Sequence, residues 1–175
     1  MGFYQRRNFA DFLRRAILKS NPGLPIYPKE HGRKQHAVPS GENEKHLMNS
    51  IQALIVDDSS VMRKIVERSL RQAGIELSKV FEAGNGAEGL AVLAENRVEL
   101  ILCDINMPVM DGLEFVKALA GVENAKGAPV VMITTEGSEA HVVQALSLGA
   151  RGYIRKPFTP DQVREHVIPL LGMKA

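Results

Sequence analysis

Polar residues of the kinds used in phosphoryl transfer follow four apolar runs of this chain. Asp57 and Asp58 follow the first run, Asp104 the second and Thr134 the third, while Lys156 comes shortly after the fourth. If the runs are parallel strands, these side chains gather at the carboxyl edge of one sheet, where open α/β sheets build their sites. Three crowded carboxylates repel one another unless a cation lies among them. The pattern therefore predicts a hard-metal site beside a nucleophilic aspartate.

The segment from Asp104 to Gly112, DINMPVMDG, is the most specific of these motifs. A proline-bearing loop followed by Asp-Gly at a helix start predicts a stiff turn that presents a carboxylate and a nearby backbone carbonyl to one cation. Mg²⁺ is the expected ion because it takes oxygen ligands and keeps several waters. Alone, Asp57 and Asp58 would more often cap a helix and Lys156 would be a surface lysine. Their joint placement after neighbouring strands favours a site.

The elements that must position these residues are strand-like and helix-like runs that alternate five times from residue 51 onward. This alternation predicts βα units and a parallel sheet. Strands are expected at about 51–56, 79–83, 98–103, 129–133 and 152–154. Helices are expected to begin near 59, 87, 112, 138 and 159. Pro169 should end or kink the last helix.

The net charge of +2 hides an asymmetry along the chain. Residues 1–50 carry nine Lys/Arg and four Asp/Glu, a balance of +5, whereas residues 51–175 carry thirteen and sixteen, a balance of −3. We interpret 1–48 as a basic N-terminal extension. Its composition predicts disorder, and the apolar spacing over 3–19 leaves a short amphipathic helix as the alternative there. The folded domain is then 49–175. Met48 is also a plausible native start, which leaves open whether the extension belongs to the native protein.

Cysteine content and hydropathy indicate the compartment. Cys103 is the single cysteine, which excludes an internal disulfide and fits a reducing environment. No apolar run approaches the roughly 20 residues that span a bilayer, and no apolar segment typical of a signal peptide follows the N-terminal arginines. We therefore expect a cytoplasmic protein without stable membrane insertion.

Together these motifs resemble the receiver domains of two-component response regulators, over about residues 51–172. The likeness is closest to the single-domain chemotaxis type, because Asn106 follows the acceptor aspartate and Gly152-Tyr153 precedes Lys156. The resemblance implies a flavodoxin-like, doubly wound α/β fold: a five-stranded parallel sheet of order 2-1-3-4-5 with five helices. It also implies a cis peptide between Lys156 and Pro157.

The resemblance further implies roles for the acids and the metal. Asp104 would be the phosphoacceptor, whose carboxylate attacks a phosphohistidine or a small phosphodonor. Asp58 and Asp104 would ligate Mg²⁺ directly, with the Asn106 backbone carbonyl as a third ligand, and Asp57 would act through a bound water. Lys156 would pair with Asp104 at rest and with a phosphoryl oxygen afterwards.

The switch is implied in the same way. Thr134 would bond another phosphoryl oxygen, and Tyr153, unless it is simply a buried or a surface tyrosine, could then rotate inward. This would change the face formed by helix 4, strand 5 and helix 5, where an output protein would bind. The donor would be a histidine kinase or a phosphotransfer protein. The chain would be a signalling switch, catalysing only its own phosphorylation and dephosphorylation, with no attached output domain.

Three alternatives stay open at the level of sequence. The chain could be a phosphorelay intermediate that passes its phosphoryl group to another protein. An aspartyl-nucleophile phosphohydrolase of the haloacid-dehalogenase type is disfavoured, because its second acid would stand where Asn106 is. Nucleic-acid binding through the basic extension would be nonspecific and strongly salt-dependent, and no specific recognition is expected.

Overall fold

Strands and helices alternate in five successive pairs in the computed structural model of the protein, which describes residues 50–135 and 138–172. The strands are β1 (Ile51–Val56), β2 (Leu77–Ala83), β3 (Leu100–Cys103), β4 (Val130–Thr134) and β5 (Gly152–Arg155). The helices are α1 (Ser60–Gln72), α2 (Gly86–Glu95), α3 (Gly112–Ala118), α4 (Glu139–Ser147) and α5 (Pro160–Val167). The extension predicted over 1–48 lies outside the described residues.

The five strands form one parallel sheet in the order β2-β1-β3-β4-β5. This confirms the predicted flavodoxin-like topology. The order reverses between β1 and β3, so the chain leaves these two central strands toward opposite faces of the sheet. A crevice opens at such a switch point, at the carboxyl ends of the strands.

Both faces of the sheet are covered by helices, which is why its strands are almost continuously apolar. On one face, Ala53 and Ile55 of β1 join a buried cluster with side chains of α1 and α5. On the other face, Gly89 of α2 lies against Phe115 of α3 and Val56 of β1. Within the described residues, no helix is long and apolar enough to cross a membrane.

Each of the five α-helices in the described residues begins at a polar residue whose side chain accepts a backbone N–H. These N-caps are Ser59, Asn85, Asp111, Ser138 and Thr159. Capping boxes fix the starts of α3 and α5. After α5 the chain continues as a 3₁₀ turn over Ile168–Leu171, consistent with the expected effect of Pro169.

Two strand starts differ from the prediction. β2 begins at Leu77 rather than near residue 79, because an irregularity after Ile51 lets Ile51 pair with Leu77. β3 begins at Leu100 rather than near residue 98, because the Val98 N–H bonds to the Asn124 carbonyl at 3.3 Å instead of to a strand.

The loop after β3 contains a strained residue, Val109. Its φ is +70°, and the Met110 N–H donates to the Pro108 carbonyl at 2.8 Å, which closes a three-residue γ-turn around it. A β-branched residue in this conformation is an outlier that costs about 1–2 kcal/mol. The side chain is 85% exposed, so packing does not offset the strain.

We expect Val109→Asn to raise the free energy of unfolding by about 1 kcal/mol, because asparagine tolerates positive φ. The thermal midpoint should rise by about 3–5 °C in a domain of this size. Val61→Asn is the matched control, since Val61 is 68% exposed but lies in α1. A midpoint that is unchanged or lower for Val109→Asn would contradict the strain.

Candidate functional site

The candidate site lies at the carboxyl edge of the sheet, around the crevice between β1 and β3. Asp57 directly follows β1 and Asp104 directly follows β3, and these strands are neighbours. Thr134 is the last residue of β4, and Lys156 directly follows β5. The topology thus brings the predicted residues to one edge from four different strands.

The three acids form a compact cluster. Oxygen atoms of Asp57, Asp58 and Asp104, one from each carboxylate, all lie within 4.8 Å of one another. Asp57 is 3% and Asp104 9% exposed, while Asp58 is exposed to solvent. Carboxylates at this separation repel one another, and a cation among them relieves the repulsion.

Lys156 supplies one such charge. Its Nζ donates to Asp57 Oδ2 at 2.7 Å and to Asp104 Oδ2 at 3.0 Å. Burial opposes the ammonium form, but the hydrogen bonds and charges of the two carboxylates outweigh it and raise the pKa of Lys156. The pairing with Asp104 was expected, whereas the shorter contact with Asp57 was not. The Lys156–Pro157 peptide is cis, as predicted.

Asp57 is held through both its backbone and its side chain. Its N–H donates to the Ala83 carbonyl at 3.1 Å, and its Oδ1 accepts from the Ser59 N–H at 2.9 Å. Its carbonyl accepts from Arg63 Nη1 at 2.7 Å. The Asp58 carboxylate, by contrast, has no hydrogen-bond partner within the described residues. Asp58 is therefore the open acid of the cluster.

Asp104 is held by β1 and by its own loop. Its N–H donates to the Val56 carbonyl at 2.9 Å, and its Oδ1 accepts from the Ile105 N–H at 2.7 Å. A Cβ on Gly112 would lie 2.0 Å from the Asp104 carbonyl oxygen. Only glycine fits there, which explains the Asp-Gly pair at the start of α3.

Thr134 and Tyr153 lie in the two strands beyond β3. Thr134 is fully buried, and its carbonyl accepts from the Lys156 N–H at 2.9 Å. Tyr153 is 3% exposed and pairs with Met132 in the β4–β5 ladder. Tyr153 is therefore a buried tyrosine and not a surface one.

Comparison with known proteins identifies the family. The sequence model of the response regulator receiver domain matches residues 53–168. The chain is 42% identical over 120 residues to a chemotaxis protein CheY homolog of Campylobacter jejuni, an alignment that covers 68% of this chain and 91% of the relative. This chain belongs to the response regulator receiver domain family.

Two further relatives place the receiver domain among CheY-like proteins. Chemotaxis protein CheY1 of Helicobacter pylori is 42% identical over 120 residues, covering 68% of this chain and 95% of the relative. The crystal structure of Vibrio cholerae chemotaxis protein CheY4 is 39% identical, with a TM-score of 0.59 over 66% of this chain and 94% of that chain. The chain is thus a CheY-like receiver domain.

The acid cluster of the receiver domain fits a hard divalent cation. Three carboxylates and one ammonium leave two negative charges, if all are ionised. Carboxylate oxygens are the ligands that Mg²⁺ prefers. Asn106 is exposed two residues after Asp104, and its backbone carbonyl stays a predicted ligand. The residues present are therefore compatible with the predicted Mg²⁺.

Sequence reasoning missed Arg63, which contacts the backbone of the acid pair. An arginine one turn into an amphipathic helix is normally a solvated residue, and its pattern carries no further signal. Only the fold shows that Arg63 reaches back over six residues to Asp57.

We expect Lys156→Met to lower the free energy of unfolding of the receiver domain by about 3 kcal/mol, because it leaves buried carboxylates without their counter-ion. Since folding raises the pKa of Lys156, its contribution is complete at neutral pH. It is lost only as pH rises through the folded pKa, above the usual lysine value of 10.5. Urea unfolding at pH 7 measures the difference.

The control for this substitution is Lys126→Met. Lys126 pairs with Glu123 on the surface, with side chains 76% and 84% exposed, so its loss should change stability by no more than about 0.5 kcal/mol. A loss below about 1 kcal/mol for Lys156→Met would show that the buried bridge is not a major contribution.

Cys103 should be unreactive in the folded receiver domain. Burial, together with the charges of Asp104 and Asp57, raises the pKa of the thiol well above its usual 9.0, and the thiolate is the reactive form. We expect a thiol reagent at pH 8 to label Cys103 only after denaturant is added. Rapid stoichiometric labelling without denaturant would contradict the burial.

Proposed function

We propose that this receiver domain accepts a phosphoryl group on Asp104 from the phosphohistidine of a histidine kinase or phosphotransfer protein, in the cytoplasm. The observation that carries the proposal is the position of Asp104: it lies within the three-acid cluster and accepts a hydrogen bond from Lys156 at 3.0 Å. A nucleophilic carboxylate, a fixed ammonium and a hard-metal donor set are the parts that phosphoryl transfer requires.

In the transfer step, an Asp104 carboxylate oxygen forms a bond to phosphorus while the phosphorus–nitrogen bond of phosphohistidine breaks. The electron pair leaves with the imidazole nitrogen, which takes a proton. The Ile105 N–H and Lys156 Nζ orient the two Asp104 oxygens, so little reorganisation is needed. Lys156 then pairs with a phosphoryl oxygen in place of a carboxylate oxygen.

Asp58 and Asp104 would hold Mg²⁺ directly, with the Asn106 carbonyl as third protein ligand and Asp57 acting through a water. When bound, the ion offsets negative charge on the acids and the transferring group. Asp57 keeps its place through Lys156. The open carboxylate of Asp58 and its neighbour Asp104 support this assignment.

The phosphorylated form would bind an output protein through the face of α4, β5 and α5. The Thr134 hydroxyl would bond a phosphoryl oxygen and shift the loop before α4. The packing of Tyr153, a residue of β5, would change in response. The backbone bond between Lys156 and Thr134 supports such a link, and a few kcal/mol of differential contact shifts a two-state population strongly. Similarity to chemotaxis proteins favours a role in chemotaxis, with a phosphorelay step as the alternative.

We expect incubation with a small acyl phosphate and Mg²⁺ to add one phosphoryl group, as measured by intact mass. Asp104→Asn should take up none, because the amide is not a nucleophile, and a chelator should prevent labelling of the unmodified protein. Asp111→Asn is the control, since Asp111 caps α3 in the same loop and asparagine caps equally well. Undiminished labelling of Asp104→Asn would overturn the assignment.

A further inference from the structure

Arg63 connects two parts of the fold through its planar guanidinium group. One is the segment after β1 that contains Asp57 and Asp58, called here the acid loop, and the other is the edge strand β2. Arg63 Nη1 donates to the Asp57 carbonyl at 2.7 Å, and its Nε donates to Glu82 Oε2 at 2.8 Å. The side chain is only 16% exposed. Glu82 belongs to β2, which pairs with β1. The guanidinium therefore ties the backbone of the acid loop to the sheet.

We propose that Arg63 is a positioning residue that sets the Mg²⁺ affinity of the site. The inference rests on the proposed function, in which Asp58 and Asp104 hold the ion. The carbonyl that Arg63 binds belongs to the peptide joining Asp57 to Asp58, and a peptide is planar. Fixing this carbonyl fixes the direction in which the chain enters Asp58.

Asp58 depends on that anchor more than the other acids do. Asp57 and Asp104 are also held through their carboxylates, by Lys156 and by backbone N–H groups. The Asp58 carboxylate has no such partner in the described part of the chain. Without Arg63, the open ligand would sample more orientations, and binding would have to restrict them.

The neighbouring Lys64 provides the comparison. Its Nζ also pairs with Glu82, at 2.5 Å, and it carries the same charge as Arg63. No contact of Lys64 with the acid loop is found within the described residues. Removing either cation changes the charge equally, but only Arg63 touches the Asp57–Asp58 peptide.

Removing the positive charge of Arg63 and removing its contact with the Asp57 carbonyl should change the Mg²⁺ affinity in opposite directions. Loss of a cation near the acids lowers the repulsion felt by Mg²⁺ and so favours binding. Loss of the anchor weakens binding. Weaker binding after removal of a positive charge therefore cannot come from electrostatics alone.

The test is Mg²⁺ binding to the full chain, measured by titration calorimetry at pH 7.5 and constant ionic strength. We expect Arg63→Met to raise the Kd about tenfold, as substitutions behind metal ligands commonly do. Arg63→Lys should also raise it severalfold, because one ammonium does not reproduce the two-pronged planar group. Lys64→Met should keep the Kd within twofold or lower it.

A second readout separates positioning from a general structural role. With saturating Mg²⁺, the rate of Asp104 phosphorylation by a small acyl phosphate should return to within about twofold of the unmodified protein in Arg63→Met, because the reacting groups are intact. A rate that stays low at all Mg²⁺ concentrations would overturn the proposal.

The outcomes also separate this inference from the proposed function. If the unmodified protein binds Mg²⁺ and Arg63→Met binds it equally tightly, the role of Arg63 is overturned and the proposed function stands. If the unmodified protein does not bind Mg²⁺, the proposed function is overturned, and the role of Arg63 is overturned with it. If Arg63→Met does not fold, Arg63→Lys decides: an unchanged Kd overturns the proposal.

Discussion

The ammonium of Lys156 lies between two buried carboxylates, and the arrangement of the site follows from that sharing. Asp57 and Asp104 both end strands at the centre of the sheet, where burial leaves little water to stabilise charge. The lysine reaches them from the far side of β4, since it directly follows β5. One cation among three acids still leaves negative charge at the crevice, which favours a divalent ion.

The three aspartates differ in how firmly the structure holds them, although their residue type is the same. Asp57 is held at its N–H, its carbonyl and both carboxylate oxygens. Asp104 is held at both oxygens yet remains at the crevice, and Asp58 is exposed. In the proposed function these become a rigid acid, a pre-oriented nucleophile and an open metal ligand, a set that needs little rearrangement during the reaction.

Much of this arrangement could be predicted because topology places strand ends, and strand ends were visible as apolar runs followed by polar residues. The same logic predicted the acid cluster, whereas the Lys156–Asp104 pair was implied by the family resemblance. It missed the Asp57–Lys156 contact, which depends on side-chain reach across the sheet. It also missed the reason for Gly112, since the close approach to the Asp104 carbonyl is a property of the folded loop. The start of β3 was misplaced because Val98 is apolar but bonds to a turn.

The loop after Asp104 combines a close backbone contact at one residue with a strained backbone conformation at another. Gly112 must lie against the Asp104 carbonyl, and the Gly112 N–H donates to the Ile105 carbonyl at 2.9 Å. Closing the loop over so few residues leaves the γ-turn at Val109, with a positive φ that valine rarely adopts. The strain therefore lies at an exposed residue, while Asp104 keeps hydrogen bonds of 2.7–3.0 Å. A loop built in this way holds Asp104 by its backbone. In the proposed function, the carboxylate would therefore exchange partners during phosphoryl transfer without a shift of the backbone.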